Sequence, residues 1–157
     1  MTGIVDYNAG NIRSVELALL ALGADYRISK NPADLEDADR IIFPGVGEAR
    51  FAMKELAKTG FDRFLRDWAA SGKPLLGVCL GSQVIFDHSE EGDTPCLGLI
   101  PGTVRRFPRD FPARGMKVPH MGWNDVRFRN GGSALFAGVP EHTDFYFVHS
   151  YYVDPAD

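Results

Sequence analysis

Cys79 stands between two glycines, each two residues away, in Gly77-Val78-Cys79-Leu80-Gly81-Ser82-Gln83. A cysteine thiolate attacks carbonyl carbon, and the reaction needs donors for the oxyanion that forms. Glycine-x-nucleophile-x-glycine is the spacing of a strand-to-helix elbow, which lifts the nucleophile out of a sheet and lets neighbouring backbone pass close by. The helix that begins there aims free N–H groups, that of Leu80 first, at the same spot. A buried packing cysteine is the plain alternative, but packing alone does not call for the flanking glycines.

A second candidate is Pro44-Gly45-Val46-Gly47. As an oxyanion loop, Gly45, Val46 and Gly47 would present a backbone N–H beside that of Leu80; as an ordinary turn, the segment merely links a strand to a helix. It lacks the Lys-Ser/Thr of a phosphate loop and the third glycine of a dinucleotide fingerprint, so no cofactor is expected. Cys79 and Cys96 form no metal spacing with the four histidines, so no metal is expected either. For a base, His88-Ser89-Glu90 and His142-Thr143-Asp144 each place an acid two residues beyond a histidine. His88, nine residues past Cys79, would sit ~13 Å along a helix leading away from the elbow. His142 precedes an aromatic strand and falls at its far end; His149 ends that strand and reaches the site edge if the strand is parallel to the others.

The elements that must position these groups alternate. Strands are expected at Gly3–Asp6, Tyr26–Ile28, Asp39–Phe43 and Lys73–Val78. Helices are expected from Asn11, an N-cap with Ile12, Val15, Leu19 and Leu22 on one face, from Glu48 to Lys58, from Phe61 to Ala70, and from Leu80 to His88. This pattern implies a three-layer α/β fold: a largely parallel sheet with helices on both faces. Sites in such sheets lie at the C-terminal ends of the strands, where the loops Tyr7–Asn11, Pro44–Gly47 and Gly77–Gly81 all fall. After Glu90 come short β-like segments, Gly98–Phe107, Val118–Phe128 and Thr143–Val153, a small antiparallel portion in the C-terminal half. One domain over residues 1–157 is expected.

A net charge of −4 does not suggest a nucleic-acid or acidic-membrane partner, and no apolar run approaches the length of a membrane span. The start of the chain carries no signal-peptide pattern, and a reduced, cytoplasmic setting suits a free elbow cysteine. Arg105, Arg106, Arg109, Arg114 and Lys117, interleaved with Phe107 and Phe111, read as a nucleic-acid surface or, better matched to an acidic chain, a loop beside a protein partner. Pro119-His120-Met121-Gly122-Trp123-Asn124 is either core packing or a partner-facing hot spot.

Taken in order, Asp6-Tyr7-Asn8-Ala9-Gly10-Asn11, Pro44-Gly45-Val46-Gly47, Gly77 to Gln83, Pro119 to Asn124 and Tyr146-Phe147-Val148-His149-Ser150-Tyr151 resemble the class I glutamine amidotransferases, and among them the glutaminase subunits of imidazole glycerol phosphate synthases. The resemblance runs over nearly the whole chain. It implies hydrolysis of glutamine to glutamate and ammonia, with the ammonia passing to a cyclase (synthase) subunit in a heterodimer that serves histidine biosynthesis. It makes Cys79 the nucleophile, and places Leu80 and the Gly45–Gly47 loop beside the oxyanion. Gln83 and the backbone of Ser150 and Tyr151 would hold the glutamine. Asn11, Tyr146 and Pro119, His120, Met121, Gly122, Trp123 and Asn124 would face the synthase. His149 is then a binding-strand residue and not the base.

The family's base and its acid lie in a downstream His-Pro-Glu motif, which residues 1–157 do not contain. A truncated gene, a remainder held in another polypeptide, or a non-catalytic relative that only binds the synthase each accounts for this. The amidotransferase domain is therefore expected to be incomplete at its C-terminus. Glutaminase activity of these residues alone is expected near background, with apolar surface left open. Other cysteine hydrolases of the same fold usually place His directly after the nucleophile, where this chain has Leu80.

Overall fold

Thr2–Val5 (β1) is buried at all four positions, as a strand covered on both faces must be. In the computed structural model, which describes residues 1–128 and 133–156, β1 pairs in parallel with Tyr26–Ser29 (β2) and Arg40–Gly45 (β3), and β3 with Leu75–Cys79 (β4). The sheet order is β2-β1-β3-β4. Val5, Ile41 and Phe43 join one core cluster with Leu56, Phe61, Leu65 and Trp68. Ile4 is equally buried but lies outside that cluster; because side chains alternate across a strand, the sheet is covered on its second face as well. The fold is thus the three-layer α/β arrangement expected from the alternation.

The helices follow their local signals. Ile12–Ala21 (α1) starts at Asn11, whose side chain accepts the Ser14 N–H at 3.3 Å. Its apolar stripe is narrower than its spacing implies: Leu19 is buried, but Leu22 lies just past the last turn and is exposed. Ala49–Thr59 (α2) and Phe61–Ala70 (α3) meet at Gly60, whose φ of +80° closes one helix and opens the next. Their buried faces carry Ala52 and Leu56, then Phe61, Leu65 and Trp68.

The helix after the elbow departs from expectation. Leu80–Val84 (α4) is five residues long and stops well short of His88. Phe86–Ser89 (β5) is a strand instead, paired antiparallel with Thr94–Pro95 (β6) and parallel with Ile100–Arg106 (β7). The backbone explains the switch: the Phe86 carbonyl accepts from Gly98 N–H at 2.8 Å and the Asp87 carbonyl from Cys96 N–H at 2.9 Å. Non-local partners outbid a helical continuation that only four residues could specify.

The chain divides into two compact units. One comprises residues 1–105 together with the chain from Val153; the other is Arg106–Tyr152. In the second unit His120–Asp125 (β8) pairs antiparallel with Asp144–His149 (β9), His120 opposite His149 and Trp123 opposite Tyr146. The aromatic run expected as one strand from Thr143 to Val153 is broken at Ser150, beyond which Tyr151–Pro155 (β10) adds to a second sheet of order β10-β7-β5-β6. His149 therefore ends a strand whose pairing is antiparallel, not a member of the parallel sheet.

Candidate active site

The C-terminal ends of β1, β3 and β4 lie side by side because all three strands run parallel and in register: Gly3 and Ile4 face Ile41 and Ile42, and Gly45 faces Cys79. Cys79 has φ 55° and ψ −120°, outside the regions an L-residue ordinarily occupies. Its two glycines are required by close approach. A Cβ on Gly77 would stand 2.7 Å from Ser82 Cα and 2.8 Å from the Gly81 oxygen, and one on Gly81 would collide with the Phe43 carbonyl. The elbow is thus pressed against β3, and the Ser82 hydroxyl tightens it by donating to the Cys79 carbonyl at 2.7 Å.

The two cysteines separate cleanly. Both are free; Cys79 is exposed and Cys96 buried. Cys96 sits with its sulfur 3.4 Å from the Thr94 carbonyl, and burial, with Glu91 nearby, pushes its thiol up to about 11. Of the two, Cys79 is the one open to solvent.

Gly45 is buried, while Val46 and Gly47 are exposed at the mouth of the same strand end. Gly47 has φ +94°, a left-handed conformation suited to glycine. Val46 N–H donates to the Ala9 carbonyl at 3.0 Å, which ties the loop after β3 to the loop after β1. Three of the expected features therefore converge at one sheet edge: the Tyr7–Asn11 loop, the Pro44–Gly47 loop and the elbow. Leu80 opens α4 with its side chain buried, and Gln83 lies on the same short helix, its carbonyl accepting the Ile85 N–H.

His88 is the one histidine of the unit that carries this edge; His120, His142 and His149 belong to the other unit. His88 is a strand residue whose Nε2 lies 3.2 Å from the Asp93 carboxylate, not the Glu90 of its sequence pattern. In the second unit His142 Nδ1 is 2.6 Å from Asp125 Oδ2, so its partner is the acid across the hairpin and not Asp144. His149 donates from Nδ1 to the Tyr151 carbonyl at 2.8 Å, and its Nε2 is 2.9 Å from His120 Nδ1. His120 Nε2 in turn lies 2.6 Å from Asn124 Oδ1. The Ser150 carbonyl accepts from Phe107 N–H at 3.1 Å. On the other face of this hairpin Met121, Trp123, Tyr146 and Val148 are exposed, with Trp123 and Tyr146 edge to face at 5.5 Å. The basic-aromatic stretch is partly self-neutralised: Arg105 pairs with Glu90 and Asp154, and Arg114 with Asp110 while lying over Phe111.

Among the described residues no group of histidine, cysteine and acidic side chains is arranged to hold a metal, and no helix is long and apolar enough to cross a membrane. The family model for class-I glutamine amidotransferases matches residues 3–157. The chain belongs to the class-I glutamine amidotransferases. Within that family it is 46% identical, over all of its length and 73% of the relative's, to the imidazole glycerol phosphate synthase subunit HisH of Microcystis aeruginosa. It is 48% identical to the subunit of the same name from Moorella thermoacetica, over 98% of this chain and 71% of that one. A glutamine amidotransferase crystal structure superposes with a TM-score of 0.70 over 94% of this chain and 70% of that chain, at 22% identity, a likeness of fold. In this class-I amidotransferase the elbow cysteine and the loop opposite it were legible as motifs. The tie between Val46 and Ala9 was not, since nothing in either loop's composition announces the other.

Proposed function

We propose that this amidotransferase chain is the glutaminase subunit of an imidazole glycerol phosphate synthase, producing ammonia from glutamine for a cyclase subunit in the cytoplasm. The observation that carries the proposal is Cys79, exposed at a strained corner and held opposite Gly45, in a chain that matches HisH subunits along its length. Cys79 Sγ attacks the side-chain amide carbon of glutamine, and the carbonyl oxygen becomes an oxyanion. The donors assigned to it are the N–H of Leu80, first in α4, and one from the Gly45–Val46–Gly47 loop other than that of Val46, whose N–H is given to the Ala9 carbonyl. Collapse of the oxyanion breaks the C–N bond, the leaving nitrogen takes a proton and departs as ammonia, and a thioester remains on Cys79. Water then adds to the thioester, releasing glutamate and returning the proton to the thiol. Gln83, one helical turn from Cys79, is assigned to the amino-acid head group.

The proton transfers are assigned to none of His88, His120, His142 or His149, and no His-Pro-Glu sequence occurs among the 157 residues. The exposed apolar face of the β8–β9 hairpin, Met121, Trp123 and Tyr146, together with Asn11, is assigned to the cyclase, as heterodimer contact. A buried aromatic anchor in such an interface carries much of its binding energy.

The test is covalent trapping with 6-diazo-5-oxo-norleucine, a glutamine-shaped electrophile. It is expected to label Cys79 and not Cys96, to be slowed by excess glutamine, and to fail in Cys79→Ala. Labelling indifferent to glutamine would remove the substrate assignment.

A further inference from the structure

Tyr7 is fully buried, and its hydroxyl has no hydrogen-bond partner among the described residues. A buried, unpaired hydroxyl costs stability, so its surroundings must account for it. Three atoms converge on the position that a Cβ on Gly45 would take: Gly81 N at 2.6 Å, Tyr7 Oη at 2.8 Å and Leu80 Cβ at 3.0 Å. Gly45 is the residue paired with Cys79, and Leu80 and Gly81 are the two that follow it. The hydroxyl therefore lies directly beneath the elbow, and the ring is fixed there against Phe43, 5.4 Å between centroids.

We infer that Tyr7 is a positioning residue for Cys79: its buried O–H is the internal donor that faces the cysteine sulfur when the sulfur is anionic. The inference rests on the reading of Cys79 as the nucleophile. Burial pushes the Tyr7 phenol well above its usual range, and the Cys79 charge pushes it further the same way. The phenol thus stays protonated, a donor and never a competing anion. The nearby acids are otherwise engaged: Asp6 accepts the Asn8 N–H at 3.2 Å, and Glu55 lies 3.3 Å from the Asn8 side-chain nitrogen and 3.6 Å from Lys58. A hydrogen bond to a charged group is worth more than one between neutral groups, so a single donor here changes how readily the sulfur reacts.

The experiment is alkylation of the purified chain by iodoacetamide, followed by mass at Cys79 across pH, in the native protein, Tyr7→Phe and Tyr26→Phe. Tyr26, on the edge strand β2, donates to Glu16 of α1 and serves as the control. Tyr7→Phe is expected to slow alkylation at pH 7 by roughly tenfold and to match the native rate at pH 10, with its thermal midpoint unchanged or raised. Tyr26→Phe should leave both rates alone. Equal rates at pH 7, equal slowing at both pH values, or the same loss in Tyr26→Phe would each overturn the inference. Should Tyr7→Phe not fold, 3-fluorotyrosine incorporation keeps ring and hydroxyl while strengthening the donor; faster alkylation at pH 7 supports the assignment and an unchanged rate overturns it. Because iodoacetamide does not resemble glutamine, failure here leaves the glutamine-analogue trapping result standing, and failure of trapping leaves this one.

Discussion

Gly45 and Cys79 face each other across the parallel ladder of β3 and β4. The placement of the elbow against the loop after β3 follows from this pairing. It sets the loop after one strand against the corner after the other, and it leaves no room between them for a side chain on Gly45 or Gly81.

Gly81→Ala should therefore be costly out of proportion to one methyl group. The new Cβ meets the Phe43 carbonyl, which belongs to a central strand and cannot yield cheaply. A destabilisation of about 2 kcal/mol or more is expected, read as a lowered midpoint in urea, together with loss of glutamine-protected labelling at Cys79. A variant with native stability and native labelling would show that the elbow tolerates a side chain after all.

The 157-residue chain alone should hydrolyse glutamine near background. A nucleophile and oxyanion donors without the proton-transfer pair retain on the order of 10³–10⁴ over water in triad enzymes. Ammonia release measured for the chain and for Cys79→Ala should differ little at enzyme-like time scales. Ordinary turnover that disappears in Cys79→Ala would restore a histidine of this chain as the base.

Trp123→Ala should separate binding from folding. Trp123 is 69% exposed and meets Tyr146 edge to face, so the thermal midpoint should move little. Affinity for a cyclase subunit, measured by titration calorimetry, should fall by about 2 kcal/mol, near thirtyfold. Unchanged affinity would move the partner face elsewhere.

Cys96 predicts a pH dependence at the alkaline end. Burial raises its folded value to about 11 from an ordinary 9.0. Well below pH 9 the thiol is neutral in both states and the fold loses nothing. As pH rises from 9 to 11 the unfolded chain releases this proton first, so stability declines, by on the order of 2 kcal/mol over the window. Chemical denaturation at pH 8 and pH 11 should show a smaller alkaline loss in Cys96→Ala than in the native chain. Equal losses would mean that the buried thiol is not their source.

Much of this protein is written locally. The glycines at 77 and 81, the Pro-Gly-Val-Gly loop, the Asn11 cap and the apolar stripe of α3 are each legible within about ten residues. Periodicity and turn chemistry are short-range properties, and they suffice for the alternation of strand and helix and for the edge at which the loops gather. The partners of short segments are another matter. Phe86–Ser89 could extend a helix or pair as a strand, and only Thr94–Pro95 and Ile100–Arg106 decide it. His142 sits two residues from one acid and bonds another, Asp125, because the hairpin brings the second one closer.

The sequence by itself determined that a cysteine would stand on an elbow of an α/β sheet, as the glycine spacing and the strand–helix alternation specify. The tertiary structure decided what surrounds that cysteine: Gly45 opposite it, the Val46 N–H given to Ala9, and the Tyr7 hydroxyl buried beneath it. Those neighbours come from strands far apart along the chain, and their register is set by which buried faces match when the layers close, a condition that no single stretch of sequence contains.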